Sequence, residues 1–237
     1  MKFFNSEYSI IDNSIKYSWK ETILDLVPLG QGLCLDLGSN DGRYRNHIES
    51  KGYSWVGLDI IASNQLNVNG SAFALPFKTN TFDIIVMRQV LEHLAEPQAA
   101  LQEVNRVLKP NCNFYGSASF LESFHESFFC FTHWGLEVMM AKSNFKLIAI
   151  RPGPSVFVML TREFFLLDRI FYNGLAPIVA WLIFTPLFYL YKYVSQLTYL
   201  LRHGKDSSKY EGWRNFWNNA PVYFAAELQW VAQKSQW

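Results

Sequence analysis

Short runs of consecutive apolar residues recur along the first two thirds of the chain. Uninterrupted runs of this kind are typical of buried strands in a parallel sheet that is covered on both faces. Between the runs, apolar residues recur instead at helical spacing, as Leu101, Val104 and Leu108 do. This alternation predicts a doubly wound α/β sheet. The predicted strands cover residues 33–37, 53–59, 82–87, 113–118 and 145–150.

Residues that start and stop helices place three predicted helices between these strands. The first helix covers residues 42–51. The second has Pro97 at an early position and ends at Pro110. Before the third, Thr132 can cap a helix that continues to Lys142.

Composition changes near residue 160, and a nearly apolar segment covers residues 170–201. Residues 170–191 contain no charged residue, and about 20 apolar residues can span a bilayer as a helix. Pro177 and Pro186 are expected to interrupt helix geometry within this segment. We therefore expect a shallow or re-entrant helical hairpin that enters one leaflet of a membrane. Residues 225–234 then alternate between apolar and polar, which predicts an edge strand.

Composition and charge narrow the class of protein. The 237 residues include 21 Lys and Arg against 20 Asp and Glu, which argues against a general nucleic-acid binder. Charged and aromatic residues each make up 17% of the chain, and this aromatic excess suggests apolar surface at a membrane interface. Cys34, Cys112 and Cys130 lack the number and spacing of a disulfide framework or a zinc site. We predict no metal site and a reducing compartment.

The most informative motif is Leu35-Asp36-Leu37-Gly38-Ser39-Asn40-Asp41-Gly42, at a predicted junction of strand, loop and helix. Gly38 allows a tight turn and the close approach of a ligand, and Gly42 lets the next helix begin near the sheet. The carboxylate of Asp36 would repel a pyrophosphate but attract a cationic or amino-bearing ligand. Asp59, at the end of the second strand, can accept hydrogen bonds from both hydroxyls of a ribose. Together these residues indicate a site for a nucleoside that carries an amino-acid tail.

These residues resemble those of the class I S-adenosylmethionine-dependent methyltransferases, above all the broad group that includes enzymes of ubiquinone and menaquinone biosynthesis. The resemblance implies a Rossmann-like, seven-stranded sheet in the order 3-2-1-4-5-7-6, with only the last strand antiparallel. It also implies S-adenosyl-L-methionine as the cofactor. The matching motifs are Asp36-Leu37-Gly38-Ser39-Asn40-Asp41-Gly42, Gly57-Leu58-Asp59, Ala74-Leu75-Pro76-Phe77 followed by Phe82-Asp83, Val90-Leu91-Glu92-His93-Leu94 and Arg106-Val107-Leu108-Lys109-Pro110.

The resemblance assigns cofactor-binding roles to individual residues. It places Asp36 and Gly38 near the methionine part of the cofactor and Asp59 at the ribose. Ser71 stands where many relatives carry an acid that accepts the amino hydrogen of adenine. Asn40 replaces a glycine of the loop, and asparagine also reaches positive φ. The predicted cofactor-binding residues are Asp36, Gly38, Ser39, Asn40, Gly42, Asp59, Ile60, Ser71, Ala72, Arg88 and Gln89.

A hydroxyl acceptor would need a group that helps to remove its proton. We predict that His125 acts as this base with Glu126 nearby, against the alternative of a surface or helix-capping histidine. Glu92 and His93 are interpreted as structural residues that begin a helix. The candidates after the strand at 113–118, where substrates of such sheets lie, are Glu122, His125, Glu126 and His133.

If residues 225–234 form the last strand, the apolar segment is an insertion into one domain. The predicted methyltransferase domain comprises residues 1–154 and 222–237, and the insertion comprises residues 155–221. Alternatives to membrane contact are that the insertion covers the sheet, forms a homodimer seam or spans the membrane fully.

Basic and aromatic residues that follow the apolar segment favour contact with a membrane surface. Trp213, Trp217 and Tyr223 are expected at the membrane interface. The first residues after Met1 turn polar at once, unlike a signal peptide, so we expect a cytoplasmic protein, peripheral or monotopic on the cytoplasmic face of the membrane. The residues expected to meet anionic head groups are Arg202, His203, Lys205, Lys209 and Arg214.

The predicted function is transfer of a methyl group to a hydrophobic or lipid-linked small-molecule acceptor, with an oxygen nucleophile slightly favoured. The alternative is a catalytically inactive methyltransferase-like module that scaffolds a membrane-bound complex. A nicotinamide oxidoreductase fits poorly, because the chain lacks the G-x-G-x-x-G run and carries Asp36 where a pyrophosphate would lie.

Overall fold

The computed structural model describes residues 8–12, 14, 16, 22–122, 126–165 and 175–235. The described residues divide into two compact units. The first, here called the sheet unit, lies within residues 1–11, 21–151 and 228–237, and the second, the helical unit, within residues 12–20 and 152–227. The domain bounds expected from the sequence remain a prediction.

The strands form one eight-stranded sheet in the order β1-β7-β8-β6-β5-β2-β3-β4. The pairs β1–β7, β2–β3, β2–β5, β3–β4 and β5–β6 are parallel. The strands are β1 (Ser9–Ile10), β2 (Gly32–Leu37), β3 (Tyr53–Asp59), β4 (Val68–Asn69), β5 (Phe82–Arg88), β6 (Leu108–Ser119), β7 (Phe145–Pro152) and β8 (Glu227–Lys234).

This order confirms the predicted fold class. From β4 to β7 the strands follow the expected order 3-2-1-4-5-7-6, and β1 adds a short edge strand beside β7. The last strand, β8, runs antiparallel to β7, since the amide of Ser235 donates to the carbonyl of Asn144 at 3.1 Å while the amide of Gly153 donates to that of Glu227 at 2.9 Å.

The prediction of an edge strand at 225–234 is wrong, because β8 lies between β7 and β6. Three of its four polar residues, Glu227, Gln229 and Lys234, are buried rather than exposed to water. The side chain of Gln229 is 1% exposed and accepts a hydrogen bond from Arg151 Nε at 2.8 Å. On the other face of the strand, Trp230 is fully buried and its ring lies where a Cβ on Gly116 would point.

Helices connect the strands and extend between β7 and β8 as the expected helical insertion. Thr132 caps α3 as predicted, because its hydroxyl accepts from the amide of Gly135 at 3.0 Å. The helix after Pro97 ends before Pro110, since β6 already begins at Leu108. The helices are α1 (Arg45–Ser50), α2 (Pro97–Val107), α3 (His133–Lys142), α4 (Val156–Phe165), α5 (Leu175–His203), α6 (Ser208–Asn218) and α7 (Ala220–Tyr223).

In the sheet unit, apolar side chains cover both faces of the sheet. One face carries Cys34, Trp55, Ile84, Val86 and Tyr115, which pack against residues of the segment 23–27 and of α1. Burying one such side chain stabilises a fold by about 1.5–3 kcal/mol. The opposite face is built from Leu35, Leu37, Leu58, Ile85, Met87 and Phe114, all at most 1% exposed.

In the helical unit, α5 runs for 29 residues without the break expected at its prolines. The expectation that Pro186 interrupts helix geometry is wrong, because Pro186 lies inside the continuous helix. Among the described residues, Ile178–His203 form the single helix long and apolar enough to cross a membrane, with a mean hydropathy of 1.4 and 6% of its most apolar window buried.

Aromatic residues join α6 to α5 within the helical unit. Trp213 donates from Nε1 to the hydroxyl of Ser195 at 3.0 Å, and the rings of Phe188 and Trp217 meet edge to face at 5.2 Å. Trp213 and Trp217 are therefore buried by helix packing, 8% and 6% exposed, where the sequence predicted rings at a membrane surface.

Candidate functional site

The loop after β2 is shaped by residues with positive φ. Gly38 has a φ of 77°, and a Cβ at this position would lie 2.2 Å from Cγ2 of Val90, so only glycine fits. Asn40, with a φ of 50°, adopts the left-handed conformation expected of it. Gly42 also has a positive φ, 73°, which explains why α1 starts at Arg45 and not at residue 42 as predicted.

Asp59 ends β3 beside this loop, and two backbone amides orient its carboxylate. Asn40 donates to Oδ2 at 2.8 Å and Ile61 donates to Oδ1 at 3.0 Å. Each carboxylate oxygen has a second lone pair for another donor. The side chain is half-buried, so both oxygens can still be reached by a ligand with two neighbouring hydroxyls.

A cavity of about 440 Å³ opens at the carboxyl ends of β2, β3 and β5. This volume is within the range of sites for small molecules and cofactors. In parallel α/β sheets, ligands bind at this edge. The lining residues are Leu37, Gly38, Leu58, Asp59, Ile60, Gly70, Ser71, Ala72, Phe73, Gln89, Val90, His93, Leu94, Ala95 and Phe128.

The structure brings together about half of the predicted cofactor-binding residues. Ser71 lines the cavity, and its hydroxyl already accepts from the amide of Phe73 at 3.2 Å. Gln89 lines it with a left-handed φ of 53°, which is a strained conformation for a residue with a side chain of this size. Gly38, Asp59, Ile60, Ser71, Ala72 and Gln89 line the cavity, and Asp36, Ser39, Asn40, Gly42 and Arg88 do not.

Asp36 lies on β2, before the loop, and is only 2% exposed. Its Oδ2 accepts a hydrogen bond from Nε1 of Trp55 at 3.0 Å. Burial raises the pKa of Asp36 to about 6, while the Trp55 bond lowers it, the charge of Asp59 raises it and that of Arg88 lowers it. Its predicted place beside the methionine part of a cofactor remains a prediction.

Three other buried polar atoms lie near the carboxyl ends of the adjacent strands β2, β5 and β6. Ser39 Oγ, Arg88 Nε and Ser117 Oγ have no hydrogen-bond partner among the described residues. Arg88 and Ser117 are register partners on β5 and β6, and the Arg88 guanidinium lies 5.0 Å from the centre of the Tyr44 ring. Buried polar groups without partners in a protein call for an explanation, such as a bound ligand.

The segment 91–93 is connected to the chain that follows β6. Nδ1 of His93 lies 2.6 Å from the backbone oxygen of Glu126. Glu92 is fully buried, and its Oε1 accepts from the amide of Ser119 at 3.1 Å. The structural interpretation of Glu92 therefore agrees with this geometry, whereas His93 also lines the cavity. The sequence analysis did not predict that His93 lines the cavity, although it named the Glu92-His93 pair as part of a family motif.

The predicted catalytic residues are only partly described. His125 lies outside the described residues. Glu126 is exposed, and its backbone carbonyl meets His93. His133 does not line the cavity, and burial lowers its pKa. The assignment of His125 and Glu126 as catalytic residues remains a prediction.

Residues 35–115 match the family described as Methyltransferase domain. The chain therefore contains a class I S-adenosylmethionine-dependent methyltransferase domain. The match covers the loop with Gly38, the carboxylate of Asp59 and most of the residues that line the cavity.

Comparison with individual proteins also finds methyltransferases. The methyltransferase domain is similar to the ubiquinone/menaquinone biosynthesis C-methyltransferase UbiE of Roseobacter denitrificans, 33% identical over 129 residues, which are 44% of this chain and 51% of the relative. The chain thus spans about half the length of this curated relative.

Two solved structures share the fold at low sequence identity. A putative methyltransferase from Bacillus halodurans has a TM-score of 0.55 and is 13% identical, covering 90% of this chain and 97% of that chain. The 1,6-didemethyltoxoflavin-N1-methyltransferase of Burkholderia thailandensis, solved with S-adenosylhomocysteine, has a TM-score of 0.52 at 11% identity and covers 87% and 72%. At these identities the likeness shows the fold alone.

S-Adenosylmethionine is the cofactor of this family, and the described residues of the methyltransferase domain fit it. The nucleoside part needs a cavity with a carboxylate for the ribose hydroxyls, as Asp59 provides. The amino-acid part needs polar groups that are out of bulk water, and Ser39, Arg88 and Ser117 offer such groups at the ends of adjacent strands.

Proposed function

We propose that the protein is an S-adenosylmethionine-dependent methyltransferase that acts on a hydrophobic or lipid-linked acceptor. The observation that carries the proposal is the cavity at the carboxyl ends of β2, β3 and β5, with Asp59 held in place by two backbone amides. A domain of the matching family surrounds this cavity.

When bound, the cofactor supplies an electrophilic methyl group on a sulfonium. The residues of this chain bind the cofactor and orient it. Asp59 accepts hydrogen bonds from the ribose hydroxyls, while Ser71 and Ala72 flank the adenine. Leu37, Leu58 and other apolar residues of the lining exclude water from the cavity.

His93 is the described residue best placed to take a proton from an acceptor hydroxyl. Its Nδ1 faces the backbone oxygen of Glu126 at 2.6 Å, a contact that holds the proton on Nδ1 and makes Nε2 the accepting nitrogen of the neutral ring. His93 lines the cavity, so it can approach an acceptor there. The predicted base His125 is tested beside it.

The proposed nucleophile is an oxygen atom of the acceptor. Methylation of a carbon atom is the alternative result. Removing a proton from an aromatic hydroxyl activates both its oxygen and the neighbouring ring carbons. The Roseobacter relative is named as a C-methyltransferase of ubiquinone and menaquinone biosynthesis. That name supports a hydrophobic acceptor and makes the identity of the methylated atom a matter for product analysis.

We further propose that the helical unit contacts the membrane and makes the enzyme peripheral or monotopic on the cytoplasmic face. The exposed apolar side chains of α5 support this, since they include Leu182, Leu190, Leu197 and Leu201, each more than half exposed. A charge-rich turn follows α5 and carries Lys205 near the helix end.

The test is methyl transfer by the full chain. Purified protein is incubated with radiolabelled S-adenosylmethionine and a membrane lipid extract, and labelled lipids are identified while S-adenosylhomocysteine is quantified. We expect labelled lipid and an equal amount of S-adenosylhomocysteine. Asp59→Asn should lose this activity, and Glu49→Gln should keep it, because the exposed carboxylate of Glu49 pairs with Arg45 on α1, outside the cavity lining.

Cofactor binding without methyl transfer would contradict the proposed enzymatic activity. It would favour the alternative of an inactive module that scaffolds a membrane-bound complex. In that case calorimetry would show S-adenosylmethionine bound to the protein, with no S-adenosylhomocysteine released in the presence of any lipid fraction. For the membrane, we expect the protein to float with liposomes of anionic lipid. A protein that stays in the soluble fraction as a dimer would favour the dimer seam.

A further inference from the structure

The helical unit contains a second cavity, a groove of about 760 Å³ between α5 and α6. Aromatic rings make most of its walls, and it is a feature that methyl transfer does not use. The residues that line it are Tyr191, Ser195, Tyr199, His203, Lys209, Gly212, Trp213, Phe216, Trp217 and Phe224.

The Ser195 hydroxyl and the Trp213 indole already make hydrogen bonds within the protein. A ligand in the groove therefore meets mainly the faces of aromatic rings. Ser195 donates its hydroxyl to the carbonyl of Lys192 at 2.9 Å and accepts from Nε1 of Trp213 at 3.0 Å. The rings of Tyr191 and Trp217 lie 5.7 Å apart, and those of Tyr199 and Trp213 lie 6.5 Å apart, across the two helices. The surface that results suits an apolar chain.

Gly212 keeps the groove open in the middle. It lies within α6, where glycine costs about 1 kcal/mol of helix stability relative to alanine, and no heavy atom lies within 4 Å of the position of a Cβ there. A side chain at residue 212 would therefore enter open space. The absence of one leaves room for a ligand along α6.

One end of the groove carries two basic side chains. His203 at the end of α5 and Lys209 at the start of α6 both line it, and none of the described lining residues is acidic. The ring of His203 lies 5.6 Å from that of Tyr199, so the basic end continues directly into the aromatic wall. From Tyr191 to His203 the helix rises by about 18 Å, enough for a dodecyl chain.

We propose that this groove binds one phosphate-bearing lipid, with its apolar chain along the aromatic walls and its phosphate at His203 and Lys209. The charge of the basic end, together with the lack of acidic lining residues, selects an anionic head group. The apolar chain of such a lipid also suits the exposed apolar surface of α5. If this surface contacts a membrane, a lipid can reach the groove without crossing water. The proposal does not depend on methyl transfer.

Photo-crosslinking of the full chain in neutral detergent tests the groove. The probe is dodecyl phosphate with a diazirine at the far end of its chain, and labelled residues are identified by mass spectrometry. We expect labelling of the aromatic walls, on Tyr191, Trp217 or Phe216. Unlabelled dodecyl phosphate should compete, whereas dodecanol and inorganic phosphate at the same concentration should compete far less.

Gly212→Leu fills the groove with a side chain that fits the helix, and labelling should fall by about tenfold or more. Asn215→Leu is its matched control, since it adds the same side chain to an exposed position of α6 outside the lining. Lys209→Gln should weaken binding of dodecyl phosphate by about fivefold. Lys205→Gln, outside the lining, should leave it unchanged.

Four kinds of outcome would overturn the proposal. Labelling that ignores Gly212→Leu, or that spreads evenly over the outer side of α5, would show unspecific partition. Equal competition by dodecanol would remove the role of the phosphate, and equal competition by inorganic phosphate would indicate a site for a free anion. Loss of a dimer in Gly212→Leu without lipid labelling in the parent protein would assign the groove to a second copy. Because Gly38→Ala impairs only the cofactor site, lipid labelling that survives in this variant separates the two proposals.

Discussion

In the sheet unit, Trp55 and Trp230 lie beneath other residues, whereas in the helical unit Trp181 and Tyr191 are more than half exposed. The two cavities differ in a similar way. A carboxylate and backbone amides shape the first, while rings and two basic side chains shape the second. A ligand with hydroxyl donors suits the first and an anionic lipid suits the second. The contrast supports the proposed contact of the helical unit with a membrane.

The largest expected effect comes from closing the cavity in the sheet unit. Gly38→Ala places a Cβ 2.2 Å from Val90 at a φ of 77°, and we expect calorimetry to show no binding of S-adenosylhomocysteine. The matched control is Gly204→Ala, at a φ of 74° with no heavy atom near its Cβ. It carries similar backbone strain, on the order of 1 kcal/mol, and should bind normally. Loss of binding in both variants would assign the effect to backbone strain.

Next in size is the effect of removing the proposed base. His93→Gln should lower kcat by about 100-fold, within the range of general base catalysis. Cofactor affinity measured by calorimetry should change little. His125→Ala measured in parallel compares the two candidate bases. A normal rate in His93→Gln would leave His93 a structural role only.

A smaller effect is expected on the apolar surface of α5. Leu190→Gln removes an apolar side chain that is 61% exposed, so the free energy of unfolding should stay within about 0.5 kcal/mol of the parent. Partition into anionic vesicles should fall by about tenfold, because burial of a leucine contributes about 1.5–3 kcal/mol. Flotation at low protein concentration measures this. Unchanged partition together with reduced stability would show that Leu190 packs against protein.

The smallest expected effect concerns the buried carboxyl of Asp36. Its pKa is raised to about 6 by burial, above the value of about 4 in an unfolded chain. The folded state therefore holds this proton more tightly. The contribution of Asp36 to stability is fully present below about pH 4 and is lost as pH rises through about 6.

Asp36→Asn tests this sign, because the amide cannot ionise and its oxygen can still accept from Trp55. Denaturant unfolding should lose the part of its pH dependence between about pH 4 and 6. Cofactor affinity at pH 8 should fall severalfold if the carboxylate attracts the amino group of the cofactor, with a smaller difference at pH 5. An unchanged slope of stability against pH would mean that the Asp36 carboxyl titrates normally.

Local signals in the sequence were enough to predict most of the strands and the turn at Gly38, because apolar runs and glycine positions are local features. Asn40 was predicted correctly for the same reason. The strand order was implied by the resemblance to class I methyltransferases, and the structure confirms it. The alternating pattern of residues 225–234 predicted an edge strand, although the order implied by the resemblance places the last strand inside the sheet. The local pattern was misleading because the burial of Gln229 depends on Arg151, which is remote in sequence. The bond between Trp55 and Asp36 is equally non-local. The continuity of α5 through Pro186 shows that a helix can tolerate one lost hydrogen bond, which a local rule about proline does not anticipate.

The position of β8 has a consequence for synthesis of the chain on the ribosome. This strand fills the space between β6 and β7, yet it is the last of the eight to be made. Until it emerges, both neighbouring strands expose unpaired backbone edges, which favour aggregation. Helix α5 is translated before β8. Contact of this helix with lipid during synthesis would keep the nascent chain beside a membrane while the sheet still lacks its last strand.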